Sequence, residues 1–372
     1  MNKNLGLYLH IPFCVRKCNY CDFFSMAATE SALSQYTDKL CCNVVSWSEV
    51  YKDRVVDSVY FGGGTPSVMG TDRIARILEV VSNSFTLSDD CEITIEVNPS
   101  SSDVLDFGLL KKYGVNRVSM GLQSADDNEL VLLGRLHKTS DVQFTIDKLK
   151  QADISNFSLD VMLGIPMQTM DSLSATLDFC IDAGAAHIST YMLKIEKNTP
   201  FYTRRDEFVF ADEDLQCDMY EFTCKKLSGN GFRHYEISNF CKDNKLSRHN
   251  MKYWKLEDYL GLGPSAHSMT DGKRFYYPRS FSQFYSNDII EDGVVNFPSE
   301  YLMLSLRTDV GFDFDKYKKL SNSPIPFAMQ KEFERLEKLG LLHINNKCAV
   351  LTEKGYLLSN NIIASLLSKE SE

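Results

Sequence analysis

Three cysteines, Cys14, Cys18 and Cys21, stand close together in the run CVRKCNYC, directly after the apolar stretch LYLHIPF. Thiolates at such short spacing hold iron–sulfur clusters. Structural zinc takes four ligands, commonly as two separated pairs. No second cysteine or histidine pair follows Cys21. Three ligands for a [4Fe–4S] cluster leave one iron free of protein, and an open coordination position is what a catalytic metal needs. His10 falls in the apolar stretch, where strand alternation places it against the core or rim rather than on a metal.

Other polar residues punctuate apolar runs. Gly62-Gly63-Gly64-Thr65-Pro66 follows VDSVYF. Glycines there let backbone approach a ligand closely and turn N–H groups toward an anion. Glu96 ends CEITIEVNP, Gln123 ends VSMGLQS, and Asp160 interrupts FSLDVMLGIP. A carboxylate in a buried strand is costly unless it is paired or bound to a ligand. Arg135, in LLGRLH, has the geometry to pair with one of these acids or with a ligand carboxylate. Taken singly, each of Glu96, Gln123, Arg135 and Asp160 fits a structural ion pair or a rim position equally well. The other eight cysteines are scattered and most read as small buried hydrophobes; Cys217 and Cys224 lie seven apart on a helical pattern, too little for a second metal site.

Positioning these groups on one face requires a strand–helix repeat. Strands are predicted over 5–11, 55–61, 92–97, 117–121, 156–162 and 187–193, with helices between them, such as 71–84 and 140–152. Alternation of this kind implies a parallel sheet with right-handed crossovers. The fold class is α/β: a partial (β/α)6 barrel over residues 1–230, with its site at the C-terminal ends of the strands. A long helix over 212–228 closes that part. Residues 231–298 are rich in aromatics and turns and read as a connecting region. Residues 299–372 predict helices over 300–306 and 327–339, then a hairpin turning at Asn345-Asn346, a winged-helix-like C-terminal domain.

Composition bounds the function. The chain has 372 residues, 44% hydrophobic and 24% charged, ordinary for a soluble globular protein. A formal net charge of −10 argues against nucleic acid as a partner, which needs a basic face. No apolar run is long enough for a transmembrane segment, and the N-terminus lacks the pattern of a signal peptide. A cytoplasmic location is expected, and there eleven cysteines read as reduced thiols plus a metal site rather than a disulfide framework.

The run LYLHIPFCVRKCNYC resembles the radical S-adenosylmethionine (SAM) superfamily, in its coproporphyrinogen-dehydrogenase-like branch. The resemblance implies that the three cysteines hold a [4Fe–4S] cluster whose unique iron binds SAM. An electron from the cluster then cleaves SAM to methionine and a 5′-deoxyadenosyl radical. It also implies SAM contacts at Tyr8, Tyr20, Gly63, Gly64, Thr65, Glu96, Gln123, Arg135 and Asp160. Lys194 matches a further contact position through its backbone, because its side chain differs from the small residue of the coproporphyrinogen enzymes.

Two departures separate this chain from those enzymes. Phe23 stands where they carry a fourth cysteine, and their N-terminal extension is absent. The chain instead carries His249-Asn250-Met251-Lys252-Tyr253-Trp254, similar to the HNxxYW motif of the HemW-type haem chaperones. That resemblance extends over nearly the whole chain. It implies haem as a third bound group, with His249 as the expected ligand and His267 as a second candidate. It implies as partners a haem-accepting protein and a low-potential electron donor such as flavodoxin or ferredoxin. The alternatives are an oxygen-independent coproporphyrinogen III oxidase and a non-catalytic protein that binds SAM and a cluster.

Overall fold

The computed structural model describes residues 4–345 and 347–370. Strand β1 (Asn4–Ile11) shows how the chain divides its two faces. Leu5, Leu7, Leu9 and Ile11 are fully buried on one side, and Gly6, Tyr8 and His10 alternate to the other. Strands β2 (Val55–Gly63), β3 (Thr86–Val97), β4 (Arg117–Gln123), β5 (Phe157–Leu163) and β6 (His187–Met192) repeat the pattern. All six lie parallel, in chain order. Their apolar faces pack under the helices Glu30–Val50, Thr71–Ser84, Thr139–Gln151 and Met170–Asp182 in one continuous core. Each fully buried Leu, Ile or Val there contributes about 1.5–3 kcal/mol. The opposite face lines a polar lumen, so these strands are not the uniformly apolar runs of a sheet covered on both sides by helices.

The predicted strands and helices of this part are observed, with ends shifted by a few residues. The largest difference is β3, which starts at Thr86 rather than at 92. The long helix is Glu213–Gly229, and the Asp212 side chain accepts from Leu215 N at 2.8 Å as its cap.

Residues 233–294 do more than connect. Strands β7 (Arg233–Glu236) and β8 (Asn239–Cys241) extend the sheet antiparallel beyond β6. Strand β9 (Tyr259–Leu262) pairs parallel with β1, and β10 (His267–Thr270), β11 (Lys273–Tyr276) and β12 (Ile290–Val294) continue antiparallel from it. Among the described residues, twelve strands thus form one sheet in the order β12-β11-β10-β9-β1-β2-β3-β4-β5-β6-β8-β7.

The C-terminal part sets helices Phe297–Ser305, Phe314–Ser321 and Phe327–Lys338 against a small antiparallel sheet of Phe312–Asp313, Cys348–Leu351 and Leu342–Ile344. The first helix starts earlier than predicted because Pro298 suits a first turn, where its missing N–H is not needed. At the hairpin, Asn345 accepts from Lys347 N and Cys348 N, whereas Asn346 lies outside the described residues. This part shares the main core through Tyr301, Leu302 and Phe312.

Candidate functional site: a cysteine loop at the mouth of a polar barrel

The cysteine loop leaves the end of β1. Phe13–Cys14 pairs with Met26–Ala27 and closes it. The loop is tied to the segment after β4: Asn19 N donates to Leu133 O at 3.0 Å, Asn19 Nδ2 to Leu132 O at 2.8 Å, and Arg16 Nη2 to Gly134 O at 2.6 Å. Cys14, Cys18 and Cys21 are all free thiols and partly exposed, whereas Cys41, Cys91, Cys180, Cys224 and Cys241 are buried.

The sulfurs sit among donors. Thr65 Oγ1 donates to Cys14 Sγ at 3.4 Å, and Arg135 Nη1 to Cys18 Sγ at 3.7 Å. Burial raises the Cys21 thiol pKa, and repulsion from Cys18 and Cys14 adds to the rise. Hydroxyl and guanidinium donors aimed at sulfur suit ligating thiolates, so the donor set fits an iron–sulfur cluster. Among the described residues no three His, Cys, Asp or Glu side chains converge on a single ion. A cubane with irons at separate corners does not require that.

The glycine turn is packed onto this loop. Gly64 N donates to Ile11 O at 2.8 Å and Thr65 N to Phe13 O at 2.7 Å. A Cβ on Gly64 would lie 2.6 Å from Phe13 O and 2.8 Å from Ile11 O, so no larger residue fits. Gly63 has φ +111° and lies against the His10 ring.

Behind the turn is Glu96. It accepts from Tyr60 OH at 2.8 Å and from Gly63 N at 3.2 Å. Burial pushes its carboxyl up to about 7; the Tyr60 bond works against that and the Asp160 charge adds to it. Asp160 accepts weakly from Ser119 Oγ at 3.4 Å, and burial raises its pKa too. Gln123 ends β4 at φ +69°, a conformation few non-glycine residues adopt. Arg135 Nη2 holds Gly121 O at 2.8 Å. Tyr8 OH lies 3.1 Å from His10 Nδ1, with its ring beside Tyr60. Tyr20 packs on a small apolar cluster of Leu133, Met162, Ile165, Leu193 and Phe201. The fold thus brings the cysteines, Gly63, Gly64, Thr65, Glu96, Gln123, Arg135 and Asp160 to one end of the barrel.

Lys194 is different. Its side chain is 81% exposed and pairs with Glu196 at 2.6 Å, which leaves its backbone for any contact at the mouth.

His249 is not at a surface. Its residue is fully buried in the lower lumen, Nδ1 is 2.9 Å from Ser58 Oγ, and Nε2 is 2.8 Å from Tyr253 OH. Burial drives its pKa down to about 3, with the charges of Lys252 and Arg117 adding. Neither nitrogen is free for an iron in this arrangement; ligation would require the helix Arg248–Lys255 to leave the barrel. His267 is exposed and stacks on Tyr276 at 4.8 Å.

Other lumen residues escape sequence reasoning. Tyr60 carries the hydrogen bond to Glu96. Arg117 is 2% exposed, and its Nε and Nη1 have no hydrogen-bond partner. The available signal was strand alternation: Tyr60 is two residues before Gly62, and Arg117 alternates with Ser119, Gly121 and Gln123.

Comparison with known proteins accords with this architecture. Residues 8–180 match the model of the Radical SAM superfamily, and 296–358 that of the HemN C-terminal domain. "Heme chaperone HemW" of Haemophilus influenzae is 31% identical over 98% of this chain and 98% of its own. "Radical S-adenosyl methionine domain-containing protein 1, mitochondrial" of Bos taurus is 31% identical over 100% of this chain and 89% of its own. Among solved structures, the coproporphyrinogen III oxidase HemN of Escherichia coli aligns with a TM-score of 0.84 at 22% identity, covering 98% of this chain and 90% of that one. At that identity the likeness is one of fold. A three-cysteine loop, a glycine turn packed on it, and full-length relatives together show that the chain belongs to the radical SAM superfamily, in the HemN-like group to which HemW belongs.

Proposed function

We propose that this protein is a HemW-type haem chaperone that binds haem, a [4Fe–4S] cluster and SAM, and delivers haem to a haem-accepting protein in the cytoplasm. The observation that carries the reading is similarity to HemW over essentially the entire chain, C-terminal domain included. Phe23 supports it: it is 67% exposed beside the cluster loop, where the coproporphyrinogen enzymes have a cysteine. Cys14, Cys18 and Cys21 hold the cluster, and Thr65 and Arg135 donate to its sulfur ligands. Gly63, Gly64 and Glu96 receive the amino-acid end of SAM, with Tyr8, Tyr20, Gln123, Asp160 and the backbone of Lys194 completing its contacts. When bound, the cluster supplies the single electron that cleaves SAM, drawn from a flavodoxin or ferredoxin. No helix among the described residues is long and apolar enough to cross a membrane.

Haem transfer tests the proposal. Protein loaded with hemin, separated from free haem and mixed with an apo-haem protein should lose its Soret band as the acceptor gains one. Retention of haem by the donor would sink the chaperone reading. The HemN-like fold favours one second reading, coproporphyrinogen III oxidation. Anaerobic incubation with coproporphyrinogen III, SAM and a reductant separates the two: the chaperone yields no protoporphyrinogen IX.

A further inference from the structure

We infer that the helix Arg248–Lys255 is a plug in the barrel floor that positions Glu96 from below, with His249 as a positioning residue acting through Tyr60. The inference rests on the reading that SAM binds at Gly63 and Glu96.

The helix is built into the lumen. The two oxygens of Glu92 accept from Arg248 N and His249 N, each at 3.1 Å, which satisfies two N–H groups that a helix start leaves open. Lys252 is buried and places Nζ 2.7 Å from one Asp57 oxygen and 2.9 Å from the other. The strand floor is shaped for this seat. A Cβ on Gly6 would lie 2.7 Å from the Lys252 side chain and 3.2 Å from the His249 ring. Glycine at position 6 therefore permits the helix to approach β1.

From the plug a continuous contact runs up to the glycine turn. The His249 ring stacks on Tyr60 with centroids 5.3 Å apart and planes at 29°. Tyr60 OH donates to Glu96 Oε1, and Glu96 Oε2 accepts from Gly63 N. The pile has no slack: a Cβ on Gly62 would meet Tyr60 at 2.9 Å, Tyr8 at 3.0 Å and Glu96 at 3.1 Å. In close packing of this kind a shift at His249 is passed to Glu96 rather than absorbed. His249 touches neither SAM nor the cluster in this scheme; it fixes the ring that fixes the carboxylate.

The test uses full-length, anaerobically reconstituted protein. SAM binding is read by equilibrium dialysis, and by the change SAM makes in the electron paramagnetic resonance spectrum of the reduced cluster. The variants are His249→Ala, His249→Phe, Tyr60→Phe and Gly6→Ala; the last crowds the plug while keeping its residues. His249→Ala, Gly6→Ala and Tyr60→Phe are each expected to weaken SAM binding about tenfold and shrink the spectral change, with iron content near wild type. His249→Phe keeps a ring on Tyr60 and should restore most of the affinity. Adding His249→Ala to Tyr60→Phe should cost little more than either alone. If His249→Ala does not fold, Gly6→Ala and Tyr60→Phe decide. Wild-type affinity and spectra in Gly6→Ala and His249→Ala would overturn the inference while leaving the SAM site standing, as would a His249→Phe no better than the alanine. A wild-type protein that binds no SAM would remove the site itself, and the inference with it.

Discussion

Arg135 Nη1 points at Cys18 Sγ from 3.7 Å, while Nη2 of the same side chain is held by Gly121 O at 2.8 Å. The backbone at the end of β4 thus aims a positive charge at one cluster ligand. Hydrogen bonds to charged groups contribute about 1.5–3 kcal/mol. Replacing Arg135 by Met should lower the cluster reduction potential by about 50 mV or more, since the reduced, more negative cluster loses its nearby cation. Arg135→Lys should recover part of the shift. A spectroscopic redox titration measures it, and equal potentials in all three proteins would refute the role.

Glu96 makes the apoprotein pH-sensitive. Its carboxyl is held up to about 7 in the fold, against an ordinary 4.5. The folded state therefore keeps a proton that the unfolded chain has released. No penalty arises below about 4.5; stability falls as pH rises from there through about 7, by at most about 3 kcal/mol. His10, His137, His234 and His249, which burial holds down to about 3 or 4, make stability rise over the same range, and Glu236, held up to about 7, makes it fall. The Glu96 contribution is therefore read as a difference: in urea unfolding of cluster-free protein, Glu96→Gln should gain stability relative to wild type between pH 5 and pH 8. Identical pH dependence in wild type and Glu96→Gln would count against the assignment.

Gly64 has carbonyl oxygens where a side chain would begin. Gly64→Ala must push the turn away from Ile11 and Phe13, with overpacking costs of about 1–3 kcal/mol. Because Thr65 moves with it, iron retained per chain after reconstitution should fall. Full iron content and an unchanged melting temperature would contradict this.

The buried Lys252–Asp57 pair predicts an asymmetry. Lys252→Met leaves Asp57 uncompensated and should cost about 3–5 kcal/mol in urea unfolding. The double change Lys252→Met with Asp57→Leu should recover much of that loss. A single variant within about 1 kcal/mol of wild type would show that the pair is not buried in solution.

Haem ligation separates the two candidate histidines. With both His249 nitrogens engaged inside the barrel, His249→Ala should leave the Soret maximum of the hemin complex in place, whereas His267→Ala should shift it. A shift in His249→Ala and none in His267→Ala would show that the plug helix opens to take haem.

The legible parts of this molecule are those written in neighbouring residues. Spacing placed the three cysteines on one loop, and alternation in LYLHI and SLDVML placed the barrel strands. Asp160 stood out because a lone carboxylate in an apolar run demands a reason. Residues 231–298 were harder, since β9 pairs with a strand some 250 positions earlier and no local pattern records that partner. Lys194 likewise carries no sign in its neighbours that its side chain turns to solvent.

His249 draws the line most clearly. The amino-acid order by itself determined that His, Lys, Tyr and Trp would stand close together in HNMKYW, and that three thiols would share one loop with an iron left open. It showed neither that this motif forms a helix nor which way that helix faces. Ser58 lies 191 residues away from His249 and Glu92 lies 157 away. Periodicity reports the two faces of an element, whereas only the closed fold supplies the partner for each face. Tertiary packing therefore turned a motif that resembles a haem ligand into the floor of the barrel beneath Glu96.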